Sequence, residues 1–179
     1  MTLIKREKKS HVTATARIFA CALCLSSLPS WSQQDISDVD ELALSDNRAQ
    51  VTQFGDLLSS TIMQVGGSNL SAVNQSGFSN QMLVNQQGYE NQLIANQFGS
   101  DIEATVLQSG FGNQVLSEQN GAELSLHITQ IGTENLAVIN QTGIENAIRI
   151  QQYGSGHAVG VTQWGNSQSV VITQGSLSN

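Results

Sequence analysis

The sequence predicts an all-β fold, a parallel β-solenoid of strand–turn–strand coils in which 22-residue repeats lay down two facing, amyloid-like parallel sheets. Three observations predict it. Glutamine recurs every 11 residues without a slip, glycine follows it two residues later, and the residues before each glutamine alternate between two environments. Self-similarity at a fixed short period marks a stacked repeat architecture.

The glutamines of the frame are Gln53, Gln64, Gln75, Gln86, Gln97, Gln108, Gln119, Gln130, Gln141, Gln152, Gln163 and Gln174. The glycines are Gly55, Gly66, Gly77, Gly88, Gly99, Gly110, Gly121, Gly132, Gly143, Gly154 and Gly165, with Ser176 in that place in the last unit. These glycines are expected in the connections, where a tight turn needs positive φ.

Each unit carries the period of a strand. Ala137, Ile139 and Gln141 alternate with Val138, Asn140 and Thr142, so one face is buried. The apolar column two residues before each glutamine runs Val51, Ile62, Val73, Val84, Ala95, Val106, Ser117, Ile128, Ile139, Ile150, Val161, Ile172. Its β-branched residues favour strands. An 11-residue period also suits a right-handed helical coiled coil. That fold is rejected, because a glycine in each unit would cost about 1 kcal/mol relative to alanine and the apolar positions alternate.

The structural repeat is 22 residues. In one set of units the position five after each glutamine reads Asn47, Asn69, Asn91, Asn113, Asn135 and then His157. In the interleaved set it reads Leu58, Asn80, Ile102, Leu124, Asn146, Gln168. Odd and even strands therefore occupy different environments, and each set stacks into its own sheet. Twelve strands make six coils, roughly 29 Å long at a strand spacing of about 4.8 Å.

Inward amides are tolerable in such a stack. A lone buried amide is costly, but in register each one donates to its copy in one neighbouring coil and accepts from the other. The glutamine column and Asn47, Asn69, Asn91, Asn113 and Asn135 are the expected ladders. Both ends of a ladder stay open and template another copy.

The N-terminus reads as a secretory signal over residues 1–32. Lys5, Arg6, Lys8 and Lys9 precede a short apolar stretch from Ile18 to Leu28, and Ser30 and Ser32 suit cleavage after Ser32. A lipoprotein anchor on Cys21 or Cys24 is the lesser alternative. Both cysteines fall in this segment, so the mature chain has no thiol chemistry. An acidic segment, 33–46, leads to the repeats at 47–179. Beyond residue 32 the chain has 2 basic and 13 acidic residues, a charge of 2 − 13 = −11, which argues against nucleic acid as a partner.

The unit Gln130-Ile-Gly-Thr-Glu-Asn-Leu-Ala-Val-Ile-Asn-Gln141, like that from Gln86 to Gln97, resembles the curlin repeat of bacterial curli fibres. The resemblance runs from Asn47 to Gln174. It implies a subunit secreted through an outer-membrane curli channel with accessory factors. Outside the cell it would self-associate with another curlin subunit into fibres for adhesion and biofilm matrix. The glycine in every 11-residue unit is closer to the minor, nucleating curlin, and the major fibre subunit is the alternative. The family's minor subunit ends in a basic repeat, whereas this chain ends Thr173-Gln-Gly-Ser-Leu-Ser-Asn179.

Other classes fit poorly. The mature chain has two histidines, His127 on an outward column and His157 in the asparagine column, and no convergent catalytic set. No cofactor or metal is expected. Asp56, Glu90, Asp101, Glu123, Glu134 and Glu145 recur near the turns, where their charge keeps the chain soluble rather than holding a cation. Phe54, Phe98, Tyr153 and Trp164 share the position after glutamine and are expected to cover turn edges. A non-polymerising adhesin or ice-binding solenoid would present a flat threonine array. Thr61, Thr105, Thr129, Thr162 and Thr173 fall in mixed columns.

Overall fold

The computed structural model describes residues 46–175; the signal segment, the acidic segment up to residue 45 and Ser176 lie outside the described residues. Twelve strands follow one another: β1 Arg48–Asp56, β2 Ser59–Gly67, β3 Leu70–Phe78, β4 Gln81–Tyr89, β5 Gln92–Ser100, β6 Glu103–Phe111, β7 Gln114–Ala122, β8 Ser125–Thr133, β9 Leu136–Ile144, β10 Ala147–Ser155, β11 Ala158–Asn166 and β12 Ser169–Gln174. Odd strands form one six-stranded sheet in the order β1-β3-β5-β7-β9-β11, and even strands form the other, β2 to β12. Every pairing is parallel, and its partners are 22 residues apart, as in Val51↔Val73 and Ile150↔Ile172. The all-β, six-coil solenoid with a 22-residue repeat is therefore the fold that forms.

The core lies between the sheets. Val73, Val84, Val106, Ile128, Ile139 and Ile150 are buried, as are Leu93, Val115, Leu126 and Ile148 one alternation earlier. Core burial fades at the two ends, where Val51, Ile62, Val159, Val170 and Ile172 are only partly covered.

The glycines occupy a different place from the one expected. They do not form the tight turn; they are still paired in the strands, Gly55 on Gly77 and Gly99 on Gly121. Coils approach so closely here that a methyl on Gly110 would sit 2.0 Å from the carbonyl oxygen of Gly132. The sharp corner falls two residues later, on a residue at φ near +55°. In most units that residue is not glycine: Glu90, Asp101, Glu123, Glu134 and Glu145 all take this conformation. From Ser79 onward the backbone N–H of each corner residue donates to a carbonyl of the preceding coil, as Glu123 does to Ser100 at 3.0 Å. That bond helps offset a left-handed conformation costing about 1–2 kcal/mol. The aromatic residues after glutamine also differ from expectation. They stand on the outer strand faces and not over the turns, because the alternation that buries each glutamine turns its neighbour outward; Phe54 and Trp164 are exposed.

Candidate functional site

Three side-chain ladders run the length of the solenoid. In the odd sheet Gln53 Nε2 donates to Gln75 Oε1 at 2.7 Å. The series continues through Gln97, Gln119 and Gln141 to Gln163 at 2.7–3.1 Å. In the even sheet Gln64, Gln86, Gln108, Gln130, Gln152 and Gln174 form a second series at 2.7–2.9 Å. From Gln75 to Gln163 these side chains are buried. Most of the glutamines also donate across the core to the first carbonyl of the preceding strand, as Gln75 does to Ser59 at 3.0 Å and Gln108 to Gln92 at 3.1 Å. That second bond orients the amide nitrogen and ties the sheets together.

The asparagine ladder runs the other way. Asn69 Nδ2 donates back to Asn47 Oδ1, and Asn91, Asn113 and Asn135 repeat the bond at 2.9–3.0 Å. The same Oδ1 accepts the backbone N–H of the next coil, as in Asn69 to Asn47 at 3.0 Å. Each Nδ2 also reaches a frame glycine's carbonyl, Asn113 to Gly132 at 3.0 Å. Asparagine holds the odd corners because its short amide bridges the coils on both sides.

His157 ends this ladder. Its backbone N–H and its ring Nδ1 both lie 3.1 Å from Asn135 Oδ1. Since that oxygen accepts, Nδ1 carries the hydrogen, and Nε2 is the one ring nitrogen left for anything beyond.

Asn80 and Asn146 were not singled out from the sequence, yet both are fully buried and cap even corners. Asn146 Nδ2 donates to Gly165 at 2.8 Å, and its Oδ1 accepts the Gln168 N–H at 3.0 Å. Their neighbours in the column, Ile102 and Leu124, are buried and apolar, so no ladder forms there. The signal was their position five residues after a frame glutamine. Ser71 is another buried member, donating to Gln86 Oε1 at 2.7 Å. His127 stands half-buried on the outer face. Among the described residues, no three His, Cys, Asp or Glu side chains converge to hold a metal ion.

The two ends expose complementary chemistry. At the first coil, Gln53 and Gln64 accept no bond from a preceding glutamine among the described residues. At the last coil, Gln163 and Gln174 donate across the core but have no glutamine beyond to receive their other hydrogen. Ser60 Oγ, in the first even strand, is buried without a partner. Ladder position therefore sets the effect of substitution. Gln108→Ala should destabilise the soluble monomer by about 1–3 kcal/mol, because it strands buried groups of Gln86 and Gln130. Gln163→Ala should cost the monomer less and slow self-association more. Chemical denaturation and seeded growth would check this, and equal effects at both positions would contradict it.

No curated protein and no solved structure matches the chain. Residues 99–132 and 123–154 each match the family model of the curlin associated repeat. These stretches reach from β5 to β10, and the same 22-residue register continues through the coils on either side. The chain thus carries curlin associated repeats in its central coils, and the flanking coils keep the same 22-residue register.

Proposed function

We propose that the chain is a structural subunit of extracellular curli-type amyloid fibres, acting as the minor, nucleating subunit. One observation carries the reading: all three ladders end in open rungs, in the register that continues them. Laid end to end, β11 of one copy meets β1 of the next as β9 meets β11. Gln163 then faces Gln53, Val161 faces Val51, and Gln174 faces Gln64. The joint repeats the inside of the molecule. Export through an outer-membrane channel with accessory factors, and a role in adhesion and biofilm matrix, follow from the family resemblance.

The nucleating role is favoured by the glycine in eleven of the twelve 11-residue units, which keeps the close coil-to-coil approach in both sheets. Purified mature chain should convert from monomer to dye-binding fibres that diffract at about 4.8 Å. Substoichiometric amounts should shorten the lag of a partner curlin. A chain that stays monomeric for days at micromolar concentration would refute the fibre reading. Fibres that leave the partner's lag unchanged would instead assign it the bulk of the fibre, as a major subunit.

A further inference from the structure

The outer faces of the two sheets are unlike. On the odd sheet the column three residues before glutamine reads Ala72, Ile94, Leu116, Val138 on four successive strands, in strict register. Ile94, Leu116 and Val138 are each exposed by more than two-fifths. On the even sheet the matching column is broken by Thr105, His127 and Arg149. The odd face thus presents an unbroken aliphatic stripe along the stack axis, with Asn74, Asn96, Glu118 and Asn140 in the adjoining outward column.

We propose that this stripe is a lateral docking surface for the same face of a second copy, and that it pairs assembled filaments side by side. The inference rests on the fibre reading above. Self-complementarity identifies the occupant. Two twofold arrangements lay stripe on stripe. With the stacks antiparallel, Ile94 meets Leu116 of the other copy, Ala72 meets Val138, and the carboxylate of Glu118 meets the amide of Asn96. With the stacks parallel, each stripe residue meets its own copy, and Glu118 meets the amide of Gln114. Glu118 is the one charged side chain on the outward columns of β3, β5, β7 and β9. In both arrangements it faces a neutral donor and not another carboxylate. Against the even face, the stripe would instead bury beside Arg149 and His127.

Area explains why the contact belongs to filaments. A six-stranded face of about 29 Å by roughly 20 Å covers about 600 Å², so two copies bury about 1,200 Å² in total, the bottom of the range for a stable pair. In a filament each added copy repeats the contact with no new loss of orientational freedom, so the weak contacts sum along its length. Monomers therefore stay apart while filaments pair.

The test is assembly of mature wild-type chain, the double variant Ile94→Glu/Leu116→Glu, and the even-face control Leu83→Glu. Filaments are imaged by negative-stain electron microscopy, with dye binding read in parallel. Wild type and Leu83→Glu should form paired or bundled filaments. The double variant should form single filaments with unchanged dye binding, its paired length down about tenfold or more, the factor set by ~1.4 kcal/mol. Single wild-type filaments, bundling of the double variant, or equal loss in the Leu83→Glu control would overturn the docking surface while leaving the fibre reading intact. Failure of wild type to form fibres would overturn both.

Discussion

Gly110→Ala is expected to abolish the folded solenoid. The residue sits at φ +119°, which side-chain-bearing residues rarely adopt, at a cost of about 1–3 kcal/mol. Its added methyl would also lie 2.0 Å from the carbonyl oxygen of Gly132 and 2.9 Å from the carbonyl carbon. Backbone cannot rotate away as a side-chain tip can. The coils must part at one corner, which breaks main-chain bonds and the rung by which Asn113 reaches Gly132 at 3.0 Å. A loss of about 4 kcal/mol or more takes most of the margin of an ordinary domain. Far-ultraviolet circular dichroism should show a disordered chain. A variant that unfolds at the wild-type denaturant midpoint would show that the close approach of the glycines is dispensable.

Gly165→Ala should give the opposite division, a monomer that folds and a fibre that does not grow. Gly165 has nearly the same φ, +117°, so the conformational cost is shared. Among the described residues no coil lies beyond it, and the new methyl would meet only the end of the flexible Gln168 side chain, its amide nitrogen at 3.0 Å. One repeat earlier, the same methyl on Gly143 would strike the Gly165 carbonyl oxygen at 1.8 Å. In a fibre Gly165 takes the place of Gly143, and the carbonyl it strikes belongs to Gly55 of the incoming copy. A loss of only ~3 kcal/mol at that joint weakens it about a hundredfold. Single-fibre imaging should show that wild-type seeds capped with this variant stop growing at one end. Gly160→Ala, on the same strand with nothing within 4 Å, should leave folding and growth unchanged. Unimpeded growth of the Gly165→Ala chain would mean that copies do not join in the internal register.

Much of this was legible because a parallel stack maps each residue onto a position one repeat away. The period located every strand, and the split of the asparagine column separated the two sheets. What was not legible depended on angle more than on spacing. Glycine was placed in the turn because positive φ is usually a turn requirement, whereas here it serves coil-to-coil contact. The corners were hidden because Glu90, Asp101, Glu123, Glu134 and Glu145 carry no glycine signature. Their charge drew attention to solubility, while their backbone makes the reversal. Asn80 and Asn146 carry no ladder signature because Ile102 and Leu124 interrupt their column, and each caps a corner singly instead. The direction of each ladder could not be read from composition, since it is set by which carbonyl lies opposite each amide nitrogen.

In a fibre joined in the register proposed above, His157 makes a periodic weak plane. Within one molecule each asparagine oxygen holds two hydrogens of the next coil, but at the junction the imidazole presents a single ring nitrogen to Asn47. That deficient rung recurs once per copy, after every sixth coil. A fibre pulled or sheared thus has cleavage planes at molecular boundaries and none between them. Its fragments come in whole subunits, about 29 Å or a multiple of it, and each break exposes two intact, folded templates instead of torn chain. Mechanical damage then multiplies growing ends.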